Sequence, residues 1–119
     1  MVVDYSNTAE LDLRFRALAD PTRRDIVMHV LRDERSVSDI AAGYAMSFAA
    51  VQKHVAVLER AGLVEKRRCG REQLVRGRIE ALREVHRALD GLELLWRERI
   101  ARVDSILEPD EDEGETSCP

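Results

Sequence analysis

Between Ser47 and Ile79 the hydrophobic repeat of the chain switches abruptly from helical to extended, and this switch most restricts what the chain can fold into. Val51, Val55 and Leu58 recur at i, i+4 and i+7, so they share one face of a helix that Ser47 is suited to cap, its hydroxyl accepting from a first-turn N–H. Ala61-Gly62 ends that helix, since Gly62 tolerates the left-handed conformation after a C-cap, and Leu63-Val64 begins a strand. A turn at Cys69-Gly70-Arg71-Glu72 then sends the chain back along a second strand, Gln73 to Ile79. A helix that runs straight into a hairpin has one apolar face to bury and one face left for a partner.

The free face has an unusual composition. Ala49, Gln52, Lys53, Ala56 and Arg60 lie opposite the apolar stripe, where two small residues permit close approach to a groove and an amide and two cations reach base edges and phosphates. From Ser47 to Arg78 there are eight cations (Lys53, Arg60, Lys66, Arg67, Arg68, Arg71, Arg76, Arg78) and three anions (Glu59, Glu65, Glu72), a local charge of +5 in a chain of net charge −4. Concentrated positive charge of this kind is the footprint of phosphate binding.

The acidic total has a separate source, because Glu108 to Glu115 carries six carboxylates and no cation, and without it the charge would be +2. That run is too polar to fold, so 108–119 is expected to be a disordered tail, either solubilising or competing electrostatically for the basic hairpin. Residues 1–7 are expected to be flexible and 8–107 to form one domain with a core modest enough to gain from oligomerisation. No run of 18 apolar residues and no signal-peptide pattern occur, which points to a cytoplasmic protein without a membrane partner. Cys69 and Cys118 are 49 residues apart, one in a turn and one in the tail, and are read as free thiols.

Upstream, Asn7 or Thr8 caps a first helix to about Ala19 with Leu11, Phe15 and Leu18 along one side. Asp20-Pro21 starts a second, to about Asp33, with Ile26, Val27, Val30 and Leu31 inward, and leaves Arg23 and Arg24 solvated, on phosphate or ion-paired. Ser36 caps a short third helix from Val37 to about Gly43, and the turn Gly43-Tyr44-Ala45-Met46 completes a helix-turn-helix whose second helix is the one from Ser47. Downstream, Glu80 to about Leu107 is one long helix. Leu82, Val85, Leu89, Leu92, Trp96, Val103 and Ile106 alternate by three and four along it, a stripe too long for so small a domain to cover, so a second copy is the economical partner. The fold class expected is therefore mainly α with a small β-hairpin: a winged helix-turn-helix with a long C-terminal dimerisation helix.

In that order of elements, FRALADPTRRDIV (Phe15 to Val27) and SFAAVQKHVAVLERAGLVEKRRCGRE (Ser47 to Glu72) resemble the ArsR-type family of bacterial winged-helix repressors, with similarity over about Leu11 to Leu107. The resemblance implies a transcriptional regulator: a homodimer that binds an imperfect palindrome in promoter DNA and represses. By position it implies that Ser47, Ala49, Gln52, Lys53 and His54 face DNA and that Arg71 is the wing-tip arginine at the minor groove. Arg68 and Arg76 are expected to join Arg71 on the backbone, and Leu11, Phe15, Leu89, Leu92, Trp96 and Val103 to form the dimer seam. His54 has a second reading, packing beneath the hairpin.

Two departures from the family stand out. Phe48 occupies a position that is often polar, so it either contacts a thymine methyl or turns inward. Metal-sensing members carry thiolates near the third helix, yet Val37 to Met46 has neither Cys nor His, and the long helix offers only Glu84, His86 and Asp90, so neither a metal site nor a cofactor is expected. A redox-responsive repressor, through Cys69 among arginines, or a metal-responsive one of the same fold is the alternative, and the fold alone also permits a winged helix used for protein contact. With no phosphate loop, nucleophile elbow or His-Glu metal motif, an enzyme is not expected. Operator sequence, regulated genes and inducer are not encoded in any of these features.

Overall fold

Five helices and three short strands follow one another in the computed structural model, which describes residues 5–107, with side chains from Thr8 onward. They are α1 (Tyr5–Leu18), α2 (Pro21–Arg32), β1 (Arg35–Ser36), α3 (Val37–Ala42), α4 (Phe48–Arg60), β2 (Val64–Cys69), β3 (Glu72–Gly77) and α5 (Ile79–Leu107). The first four residues, the acidic tail and Cys118 lie outside the described residues.

Local chemistry accounts for most of the helix starts. The Asp20 carboxylate accepts from the Arg23 N–H at 3.0 Å with Pro21 at the first helical position, Ser36 Oγ accepts from Asp39 N–H at 3.0 Å, and Ser47 Oγ from Ala50 N–H at 3.1 Å. At the far end of α4, Gly62 has φ +75°, its N–H donates to Glu59 O at 2.9 Å, and the Leu63 N–H reaches back to Leu58 O at 3.0 Å. This paired closure satisfies the last carbonyls of the helix and brings Leu58 against Leu63, both fully buried.

One hydrophobic cluster unites these elements: Ile26, Val27 and Val30 from α2, Val37 and Ile40 from α3, Val51, Val55 and Leu58 from α4, Leu63, Val64 and Val75 around the wing, and Ala81 of α5. Each fully buried aliphatic side chain among them contributes roughly 1.5–3 kcal/mol relative to exposure. The antiparallel sheet has the order β1-β3-β2, with Val64 opposite Gly77 and Cys69 opposite Glu72, which leaves Gly70 (φ +65°) and Arg71 as a two-residue turn. By contacts the chain divides into a unit ending at Val85 and a second from His86 on. In the second, every hydrophobic residue from Leu89 to Leu107 is exposed.

Several expectations are corrected. The α1 helix starts at Tyr5, ahead of Asn7 and Thr8, and it turns Arg14 and Ala17 inward, leaving Leu11 and Leu18 half-buried and Phe15 exposed. Leu31 is likewise exposed, and the return strand stops at Gly77, so Ile79 opens α5. The two-residue β1 has no counterpart in the sequence reading; it exists because Arg35 and Ser36 pair with Val75 and Leu74.

Gly77 is required by space. A Cβ there would lie 2.5 Å from Leu31 Cδ2 and 3.2 Å from its Cα, so Gly77→Ala should destabilise by about 1–3 kcal/mol in denaturant titrations, an effect absent from Gly70→Asn at the open turn. Capping by the Arg23 N–H, reinforced by the Arg23 charge, holds the Asp20 carboxyl below its ordinary value of 3.8. A depressed carboxyl stabilises the fold above its unfolded value and loses that contribution as pH falls through the folded one. Asp20→Ala should therefore lower Tm at neutral pH, with the gap to wild type closing below the ordinary value of 3.8.

Candidate nucleic-acid interface

The capped start and buried stripe of α4 orient its other face outward. Ser47, Phe48, Ala49, Gln52, Lys53 and Arg60 are exposed and Ala56 is half-buried. Phe48, at the first helical position, keeps 47% of its surface in solvent rather than turning into the core. His54 is half-buried, with Nδ1 at 3.3 Å from Arg23 Nη1. This contact is with α2, not with the hairpin, and leaves the ring only partly buried.

Arg23 and Arg24 have a role that the sequence did not reveal. Arg23 donates through Nε to Ala17 O at 2.7 Å and through Nη2 to Arg16 O at 3.1 Å, and Arg24 Nη1 donates to Leu18 O at 2.8 Å. Both guanidiniums close the C-terminal carbonyls of α1, where positive charge is favoured, so they are neither simply solvated nor ion-paired.

The cations of the recognition unit separate into two groups. Arg67 makes a two-pronged pair with Glu34 at 2.8 and 2.9 Å, Lys66 pairs with Glu59 at 3.3 Å, and Arg76 and Arg78 share Glu65 at 3.2 and 3.5 Å. The Arg67 guanidinium accordingly holds the Glu34 carboxyl below its usual range. Lys53, Arg60 and Arg71 have no acidic partner among the described residues, and Arg68 donates only to the Gly70 carbonyl, at 3.3 Å. Exposed pairs are worth little in water, but they still compete with phosphate for the same cation. The unopposed charge therefore sits on α4 and at the tip of the wing, beside the exposed thiol of Cys69.

Elsewhere the candidate ligands and seam residues are placed as follows. Glu84 is bound by Arg14 Nη1, and His86 Nε2 is 3.4 Å from Asp90 Oδ2 one turn along α5. No three His, Cys, Asp or Glu side chains converge to hold a metal among the described residues. His29, partnerless in sequence, is 3.4 Å from Asp25, which also accepts from the Tyr44 hydroxyl; burial and that bond raise the Tyr44 pKa. Leu89, Leu92, Trp96 and Val103 are exposed, with the Arg99 guanidinium 6.0 Å from the Trp96 ring centre. No described helix is long and apolar enough to cross a membrane.

Comparison with known proteins supplies the family. The model of the bacterial regulatory proteins of the arsR family matches residues 20–66. No curated protein matches. Among solved structures, an ArsR-like transcriptional regulator from Rhodococcus sp. RHA1 is 33% identical, superimposes with a TM-score of 0.76, and is aligned over 86% of this chain and 96% of its own. A crystal structure of another ArsR family transcriptional regulator is 28% identical (TM-score 0.70; 82% and 97% of the two chains). The homodimeric winged helix-turn-helix DNA-binding domain of a Mycobacterium bovis protein is 26% identical (TM-score 0.55; 82% and 85%). With this likeness running almost end to end over a helix-turn-helix and its wing, the chain belongs to the ArsR family of bacterial transcriptional regulators.

Proposed function

We propose that this ArsR-family regulator is a cytoplasmic homodimeric repressor that binds an imperfect palindrome in promoter DNA. The observation that carries this reading is the placement of unopposed cations: Lys53 and Arg60 on α4, Arg68 and Arg71 at the wing tip. Gln52 and Lys53, exposed beside the small residues Ala49 and Ala56, read base edges in the major groove, and Ser47, Phe48 and His54 border them. Arg68 and Arg71 hold the backbone or minor groove, with Arg76 contributing less because it shares Glu65 with Arg78. Leu89, Leu92, Trp96 and Val103, with Leu11 and Phe15 of α1, meet the same face of a second copy, as the length of the exposed apolar stripe and the homodimeric M. bovis relative suggest. The signal is not read as a metal, because Arg14 occupies the Glu84 carboxylate and His86 and Asp90 pair with each other.

Mobility-shift titrations on duplex from the protein's own promoter test the reading. Four unopposed cations per protomer would give a dimer a slope of log K against log salt of about −7. Arg71→Ala should flatten that slope by about two and weaken all sequences alike, Arg76→Ala should flatten it less, and Gln52→Ala should relax preference at one base pair by about 1–3 kcal/mol. Binding that is absent or indifferent to salt would sink the proposal in favour of a wing used for protein contact. For the seam, Leu92→Glu should sediment as a monomer where the wild type is a dimer; a wild type that is monomeric at micromolar concentration would rule out the two-fold arrangement.

A further inference from the structure

We infer that Arg14 is a positioning residue: it fixes the end of the recognition helix α4 to α1 and to the start of α5, and so sets the separation of the two recognition helices in a dimer. This rests on the DNA-binding dimer proposed above. Arg14 is only 7% exposed, and Ser36 is the one other buried polar residue among those described. A guanidinium out of water is costly unless its donors are met, and here Nε and Nη1 are met by two different helices. Nε donates to the carbonyl of Ala61, the C-cap of α4, at 3.0 Å, and Nη1 donates to the carboxylate of Glu84 on α5.

A second observation shows how closely the helix end is held. A Cβ on Gly62 would lie 3.2 Å from Arg14 Nη2, and Arg78 Nη1, from the residue that joins β3 to α5, donates to the Gly62 carbonyl at 3.4 Å. Two guanidiniums thus meet consecutive carbonyls at the negative end of α4. Burying an ion pair adds little stability compared with apolar packing, whereas a planar fork with fixed donor directions specifies distance and angle. Arg14 adjoins Phe15, which is exposed on α1, so packing of a second copy against Phe15 acts on the residue beside this clamp, while Val85, next to Glu84, is buried within the protomer.

Glu84→Gln, Arg14→Met and Arg14→Lys in the full chain test the inference with three readouts: dimerisation by sedimentation, amide exchange of Gly62 and Leu63 without DNA, and affinity for duplexes whose half-site spacing is changed by one base pair either way. The variants should stay dimeric, exchange at Gly62 and Leu63 about ten-fold faster, bind the best duplex about ten-fold more weakly, and discriminate less between spacings, with Lys restoring part of each. Should Arg14→Met fail to fold, Glu84→Gln, which keeps size and shape, decides the matter. Unchanged exchange together with an unchanged spacing preference in Glu84→Gln would overturn the inference. A wild type that binds no duplex would instead defeat the DNA reading, and the exchange rates would still decide whether Arg14 holds α4.

Discussion

The reversal at Ala61-Gly62-Leu63 is the constraint on which the remaining structure rests. Gly62 enters the left-handed region at φ +75°, which lets its own N–H and that of Leu63 return to Glu59 and Leu58 and places two leucines together in the core. The Leu63 carbonyl then accepts from the Arg78 N–H at 2.9 Å, so the base of the wing closes on the residue that ends the recognition helix. A side chain with a Cβ would meet the unfavourable φ and the Arg14 guanidinium together. Helix, turn and wing are thereby joined through backbone hydrogen bonds, and the relation between the outward face of α4 and the wing tip follows from backbone geometry.

Charge is organised around that piece by subtraction. The wing carries more cations than it leaves free, because Glu34, Glu59 and Glu65 each engage one or two of them. Those three carboxylates lie away from the tip, where Glu72 makes no ion pair among the described residues, and Arg68 and Arg71 escape. Net composition hides this pattern entirely, since the chain as a whole is acidic.

Start and stop signals were the most legible part of the sequence. Asp20-Pro21, Ser36, Ser47 and Gly62 act within a few residues of themselves, through hydrogen bonds to their own turn, and each stands where its chemistry predicts. Periodicity was equally reliable for Val51, Val55 and Leu58. What escaped the sequence depends on partners distant along the chain. Nothing around Arg14 in the sequence marks it for burial, because Ala61 and Glu84, which enclose it, lie 47 and 70 residues away. Arg23 and Arg24 looked like spare cations because the carbonyls they cap belong to a different helix, and β1 is too short to alternate and is defined only by its pairing with β3. The outward face of α4 was legible as a set of residues, Ala49, Gln52, Lys53 and Arg60 being exposed and Ala56 half-buried. The division of the recognition unit's cations into opposed and unopposed was not, because that depends on which carboxylate the fold brings alongside.

The order β1-β3-β2 leaves β2 with an unpaired side, and unpaired strands invite other chains to add to them. Lys66, Arg67 and Arg68 lie in succession along it, and the opposite border of the sheet, β1, is two residues long. With Lys66 and Arg67 held by Glu59 and Glu34, the unopposed Arg68 and Arg71 would repel their counterparts in a second wing, and β1 offers too little backbone to extend the ladder. Cations on the wing that would attract a polyanion therefore also discourage the addition of a strand along β2.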